Sequence, residues 1–238
     1  MDKLISTDCH KMSAKILFQA CACTPHPHSD ASSAARAHRW LLRGAKAVTT
    51  HRRKPLMLII HAHPRPSQSR VVKQLMGVLA AQPGAELRSL YELYPDFDID
   101  VEAEQQALLR WQKIVWLTPV HWYSVPAMMK HWIDQVLALG WAYGHGGEAL
   151  RGKTCWWVCS AGGSDPAYAP MEMHRRPFQD YVPPLEQTAR FCGMHWWKPF
   201  VVLGAHDITE QELLQASATL EQRCEEFLTA ALPEGEAP

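Results

Sequence analysis

No apolar run in this chain approaches the roughly 20 residues that a membrane-crossing helix needs, which excludes an integral helical membrane protein. Low-complexity repeats are also missing, and with 47% hydrophobic residues a collagen-like, coiled-coil or wholly disordered chain is excluded. The seven cysteines are odd in number and scattered, with no paired framework. That pattern fits a reducing cytosol better than a disulfide-stapled secreted protein. Cys155, Cys159 and Cys192 stand among apolar neighbours and are expected to act as small hydrophobes. Neither the GxGxxG of a dinucleotide fold nor the GKS/T of a phosphate-binding loop occurs.

Net charge is absent too, since 24 basic side chains balance 24 acidic ones, but the balance hides an asymmetry. Residues 1–56 carry ten Lys/Arg and three Asp/Glu, whereas residues 57–238 carry 14 and 21. A mildly acidic body argues against nucleic acid as a partner. The 238 residues suffice for one generous domain or two small ones.

Residues 1–56 show no sustained helical or strand period. Their basic, acid-poor, Ser/Ala-rich composition is that of a disordered leader or of an organelle transit segment. Cys21, Cys23, His26 and His28 lack the spacing of the usual zinc patterns, so a metal site is not expected. Met57 directly precedes the first clear strand, so translation could begin there and residues 1–56 are expected to be dispensable. Residues 57–232 form the expected domain, and 233–238 a tail.

From Leu56 the chain alternates between two kinds of segment. LMLIIHAH (56–63) is a buried-strand pattern, and SQSRVVKQLMGVLAAQ follows at helical spacing with serines able to cap it. AELRSLYEL reads as a second strand, residues 102–111 as a helix and KIVWLTPV (113–120) as a third strand. PAMMKHWIDQVLAL (126–139) opens on a helix-compatible proline. TCWWVCSAGG (154–163) is a fourth strand, YVPPLEQTARFCG holds a helix ended by Gly193, and PFVVLGAHD is a fifth strand. An amphipathic helix from Thr209 to about Ala230 closes the pattern. Five strands alternating with helices predict an α/β parallel sheet covered on both faces. Ligands in such sheets sit beyond the carboxyl ends of the strands, so function is sought in the segments after them.

Three such segments stand out. HAHPRPSQSR offers donors at a helix start to an anion. TPVHWYSVPAMMKHWID places Trp122 and Tyr123 just past a strand. SAGGSDPAY carries two glycines that let backbone approach a flat ligand. Elsewhere, Met128 and Met129 are expected in the core, His131, His195 and His206 as ordinary histidines, and Asp134 and Arg151 as a structural ion pair. His145 in YGHGG is either a site group or a turn residue. Asp96, Asp98, Asp100, Glu102 and Glu104 form a solvated turn and helix start, or a docking face for a basic partner.

HAHP, SLYELYPDFDID, HWYSVPAMMKHWID, GWAYGHGGEALRGK and SAGG, in this order over about 57–230, resemble the flavodoxin-like NAD(P)H:quinone reductases. Within them the likeness is to the KefF type, ancillary flavoproteins of glutathione-gated potassium efflux systems. The resemblance implies a flavodoxin-like three-layer sandwich with a five-stranded parallel sheet, a bound flavin, a homodimer and two-electron reduction of quinones by NAD(P)H. FMN is expected rather than FAD, because little chain follows the fifth strand's helix to wrap an adenosine. A potassium efflux antiporter is the implied partner, with a cytoplasmic location that is peripheral to the inner membrane at most.

Carried over residue by residue, the resemblance gives His63 and Ser69, Arg70, Val71 and Val72 to the flavin phosphate region, Val72 standing where the family often has Asn. Val120, His121, Trp122 and Tyr123 would line the isoalloxazine ring, with Ser160, Ala161, Gly162 and Gly163 beneath it. Tyr168 and His174 match a catalytic Tyr-x5-His pair, in which Tyr168 assists His174 as general acid through a hydrogen bond.

Overall fold

The structure, a computed structural model, describes residues 57–231. The expectations for residues 1–56 and for the 233–238 tail lie outside the described residues. Five strands form one parallel sheet: β1 Met57–His61, β2 Ala85–Ser89, β3 Lys113–Pro119, β4 Thr154–Ser160 and β5 His195–Val202, in the order β2-β1-β3-β4-β5. Parallel neighbours need crossover connections, and helices supply them: α1 Arg70–Ala80, α2 Leu90–Leu93, α3 Val101–Leu109, α4 Ala127–Val136 and α5 Pro183–Phe191, while α6 Glu210–Thr229 follows the last strand and packs against the sheet. The expected α/β flavodoxin-like sandwich is the fold observed.

Successive side chains point to opposite sides, and the central strands β1, β3 and β4 are buried on both faces. Met57, Ile59, Val115, Leu117, Trp156 and Val158 face α1 and α6, where Val71, Leu75, Leu220 and Phe227 meet them. Leu58, Ile60, Ile114, Trp116, Cys155, Trp157 and Cys159 face α2 to α5, against Leu108, Met128, Met129, Trp132 and Leu185. Met128 and Met129 are core residues, as their spacing predicts. Burial pushes the Cys155 and Cys159 thiols well up, and that of Cys192 to about 11, so they act as hydrophobes.

Two boundaries differ from the sequence reading. The second strand stops at Ser89, and LYEL makes one helical turn instead. The fifth strand starts at His195 rather than Pro199. Trp156 pairs with Trp197 and Val158 with Phe200, so Lys198 and Pro199 oppose one residue in a bulge. An edge strand at a bulge accommodates a proline because no ladder bond is asked of its missing N–H.

Buried charge pins the outer elements to the sheet. The fully buried Glu104 carboxylate of α3 accepts from Arg88 Nε at 2.8 Å, Tyr94 Oη at 2.6 Å and Trp132 Nε1 at 2.9 Å. Glu104 is thus a structural core group, not part of an exposed acidic face. Lys153 Nζ donates to the carbonyls of Leu109 (3.3 Å) and Trp111 (2.7 Å) past the end of α3. The expected Asp134–Arg151 pair does not form: Asp134 pairs with Lys130, one helical turn away, and Arg151 with Glu148 at 3.3 Å. Local partners within one turn cost less ordering than a distant one.

The chain leaves β1 toward β2 on one side and reaches β3 on the other. Strand order therefore reverses between β1 and β3, and the carboxyl ends of these strands open a crevice.

Candidate functional site

A cleft of about 710 Å³ occupies that crevice, within the usual size of a small-molecule site. Its first wall follows β1. His63 Nδ1 accepts the Arg65 N–H at 3.0 Å, which leaves Nε2 as the protonated nitrogen of the neutral ring. A 3-10 turn, Pro66–Gln68, leads to Ser69, the N-cap of α1. The Ser69 hydroxyl accepts the Val72 N–H at 3.1 Å, so the amide of Val72 is committed to the cap. The Val71 and Val72 side chains are buried in the core. What the helix start presents is therefore the amides of Arg70 and Val71, two of the four without an intrahelical partner, together with the Arg65 and Arg70 side chains.

The second wall follows β3. Val120 N–H donates to the Ser160 carbonyl at 2.7 Å, and His121 and Ser124 exchange backbone bonds of 3.0 Å each. Between them Trp122 (φ 48) and Tyr123 (φ 62) both lie in the left-handed region. This is the backbone of a type I′ turn, normally made by Gly or Asn. A left-handed aromatic is a strained residue of the kind that collects at functional sites. With Val120 and His121 committed, the amides left in this turn are those of Trp122 and Tyr123. The Trp122 side chain is 94% exposed, so it does not pack beneath the loop.

The third wall is Ser160 to Gly163. Neither Gly162 nor Gly163 has a positive φ; the requirement is space. A Cβ on Gly162 would collide with the His206 ring, and one on Gly163 with His174 Nε2 and Tyr168. Ala161 is tied on both sides, its N–H to Val202 O and its carbonyl to Ala205 N–H, each at 2.9 Å.

A fourth wall was not anticipated. Ala205 and His206, just past β5, line the cleft, so His206 is not the ordinary surface histidine expected from the sequence. β5 runs parallel to β1, β3 and β4, so the segment after it reaches the same rim for the same topological reason.

The expected ring-contacting residues divide between two adjoining places. Val120, His121, Ser160 and Gly162 line the cleft. Tyr123, Tyr168 and His174 form an aromatic cluster beside it, with the His174 ring packed against Gly163. In that cluster Tyr168 and His174 are stacked, 4.2 Å apart and 25° from parallel. The expected Tyr168–His174 hydrogen bond is replaced by this stacking. The polar neighbour of His174 is instead the Tyr123 hydroxyl, 3.5 Å from Nδ1, at the limit of hydrogen-bond reach. Tyr181, which the sequence reading passed over, stacks on Tyr123 at 4.9 Å. His174 Nε2 is buried without a partner.

Burial sets the electrostatics. Desolvation pushes the Tyr168 phenol up, with Tyr181 and Tyr123 adding to it. It pushes His63 down, His121 adding to the effect, and His121 down likewise. No carboxylate lines the cleft, which therefore suits an anionic ligand. Among the described residues no group of three or more His, Cys, Asp or Glu is placed to hold a metal.

Two other histidines lie apart. His131 Nε2 is 3.0 Å from the Phe97 carbonyl and has the structural role expected of it. His145 lies in the connection from the end of α4 to the start of β4 and is not among the residues that line the cleft. Within one chain it is a turn residue between Gly144 (φ 76) and Gly146 (φ 79).

The profile of the Flavodoxin_2 family, described by its flavodoxin-like fold, matches residues 56–224. The glutathione-regulated potassium-efflux system ancillary protein KefF of Citrobacter koseri is 46% identical over 164 residues, covering 68% of this chain and 91% of its own length. General stress protein 14 of Treponema denticola, solved in complex with FMN, is 30% identical with a TM-score of 0.68, covering 72% of this chain and 98% of that one. An NADPH-quinone reductase of P. pentosaceus is 26% identical with a TM-score of 0.63, covering 70% and 96%.

Proposed function

Because the chain belongs to the Flavodoxin_2 family, we propose that it is an FMN-dependent NAD(P)H:quinone oxidoreductase, acting as a homodimer and as the ancillary protein of a potassium efflux antiporter. The observation that carries the reading is the cleft at the switch point, with its anion-suited end at α1 and its walls at Val120, His121, Ser160 and Gly162. A flavin mononucleotide fits the donor set. Arg65, Arg70, the Ser69 hydroxyl and the α1 amides would hold the phosphate. Gly162 and Gly163 let the His206 and His174 rings pack against this backbone, and a flat ring would lie beside the wall so formed. FMN rather than FAD is supported by the FMN-bound relative from T. denticola.

When bound, the flavin would supply the redox chemistry, a two-electron link between the nicotinamide's hydride and a quinone that also takes up a proton from solvent to become the hydroquinone. The chain's own part is orientation and charge. The Trp122 and Tyr123 amides, left free by the turn, would stabilise negative charge developing at the polar edge of a bound ring, as donors in an oxyanion hole do. His174 Nε2, buried and unpartnered, can hold a proton where that charge forms, while Tyr123 at Nδ1 and the Tyr168 stack set the ring's orientation. One exposed slot at the Trp122 turn then serves both planar substrates in turn, a ping-pong order.

The test uses the full chain, offered FMN and then NADH or NADPH with a quinone. FMN uptake, quinone-stimulated oxidation of the nicotinamide and parallel lines in two-substrate kinetics are expected. A protein that takes up no FMN refutes the reading, and intersecting lines refute the shared slot. His174→Ala should slow turnover by about 10²–10⁴-fold with FMN still bound.

The antiporter role is supported by the KefF relative. In this reading the contact with the membrane is peripheral, made through the partner on the cytoplasmic side; no helix among the described residues is long and apolar enough to cross a membrane. Its alternative form, a non-catalytic regulatory subunit, predicts co-purification with an antiporter and no quinone-stimulated oxidation.

A further inference from the structure

The cleft gathers histidines from three separate loops. His63 follows β1, His121 follows β3 and His206 follows β5, and all three line the same space. The His63 and His121 rings are 6.5 Å apart and 69° from parallel. The His206 ring lies against Gly162, which has no Cβ to hold it off. Behind them the buried His61 places Nδ1 3.2 Å from the Ser89 hydroxyl and leaves Nε2 without a partner.

The charged groups around these rings are few. From the β1 loop and α1 come Arg65 and Arg70, both lining the cleft. From α6 comes Glu210, which pairs with Arg70 at 3.5 Å and is largely exposed. The β3 and β4 loops add no other charged residue to the lining, and Asp207 beside His206 is not part of it. Three imidazoles and two guanidiniums thus share a space with no counter-charge of its own. Burial favours the neutral form of His63 and of His121, and repulsion from His121 adds to the effect at His63. A dianion placed among them reverses that preference.

We infer that His63, His121 and His206 form a proton-accepting cradle for a phosphate dianion, so that entry of the flavin's phosphate end is accompanied by proton uptake onto these rings. The inference rests on the flavin reading and deepens it. The incoming protons come from solvent, and the grip on the nucleotide weakens as pH rises and the rings lose them. Arg65 and Arg70 remain charged throughout and account for the residual binding at high pH.

The test is calorimetric titration of the full apo chain with FMN and with riboflavin, in phosphate-free buffers of different ionisation enthalpy. Above pH 7 the FMN phosphate is already dianionic, because the second pKa of a phosphomonoester is about 6. Protons taken up there belong to the protein. Uptake of about half a proton or more per FMN at pH 7.5 is expected, with affinity falling about tenfold between pH 7 and 8.5. Riboflavin, lacking the phosphate, should show neither effect. His121→Gln and His206→Gln should each reduce the uptake while leaving the thermal midpoint in place.

FMN that binds with no proton uptake and a flat affinity over that range overturns the cradle, as does equal uptake with riboflavin. If FMN does not bind at all, the flavin reading fails separately, and the cradle is judged with inorganic phosphate. Histidine ring resonances, assigned from the two glutamine variants, should then titrate at higher pH in phosphate than in chloride. Identical titrations would overturn it.

Discussion

The turn at Trp122 and Tyr123 allows strain and contact to be separated by two substitutions. Both residues are left-handed, at φ 48 and φ 62, a conformation costing a side chain roughly 1–2 kcal/mol. Glycine removes that cost but adds about 0.5–1 kcal/mol of unfolded-state entropy. Trp122 is 94% exposed, so removing it forfeits almost no burial. Trp122→Gly should therefore stabilise the chain by about 0–1 kcal/mol, raising Tm by up to about 4 °C for a domain of this size. Tyr123→Gly gains the same relief but loses the stack on Tyr181 at 4.9 Å and the contact with His174. An aromatic pair is worth about 0.5–1.5 kcal/mol beyond the area it buries. Tyr123→Gly should accordingly lower stability by about 1 kcal/mol. The assay is thermal unfolding of both full-length variants at two protein concentrations, followed by quinone turnover, which both should reduce. A Tm loss of several degrees in Trp122→Gly would refute the reasoning, and if that loss depends on concentration, the indole is buried between subunits.

Gly163→Ala drives a Cβ into His174 and Tyr168; opening the stack should cost about 1–3 kcal/mol, and FMN affinity should fall in an equilibrium titration. Gly77→Ala is its control, because nothing lies within 4 Å of that Cβ in α1, and urea unfolding should show a gain of about 0.5–1 kcal/mol. Glu104→Gln leaves Arg88, Tyr94 and Trp132 as donors around an amide that is partly a donor itself. With Glu86 3.8 Å from Arg88 as a residual counter-charge, the loss should be about 3 kcal/mol, read from the urea midpoint. Burial, with His63 adding to it, lowers His61 from 6.5 to about 4. Between those values the unfolded chain binds the extra proton, so stability falls as pH drops from 6.5 toward 4 and levels off below. The loss should be about 3 kcal/mol, and it should vanish from the pH series in His61→Gln.

Much of the fold was legible in the chain because burial writes itself into local pattern. MLIIH, KIVWLTP and TCWWVCS are mostly apolar and buried at every position, since both their faces are covered. The segments between them carry helical spacing and caps that act as the residues suggest, Ser69 on α1 and Thr209 on α6 among them. The edge strand was misjudged at Pro199 for the converse reason. A bulge and an unpaired edge tolerate the proline, and neither is visible without the neighbouring strand.

For the site, residue type alone located the loops after β1, β3 and β4, since a parallel sheet places them at one rim. It did not show that Val72 spends its amide on Ser69, that Tyr168 stacks on His174 rather than bonding to it, or that His206 closes the cleft from the far edge. Order along the chain, period and capping chemistry depend on near neighbours and are written in the sequence. Which ring faces which, and which donor is left free, depends on groups tens of residues apart, and only packing brings those together.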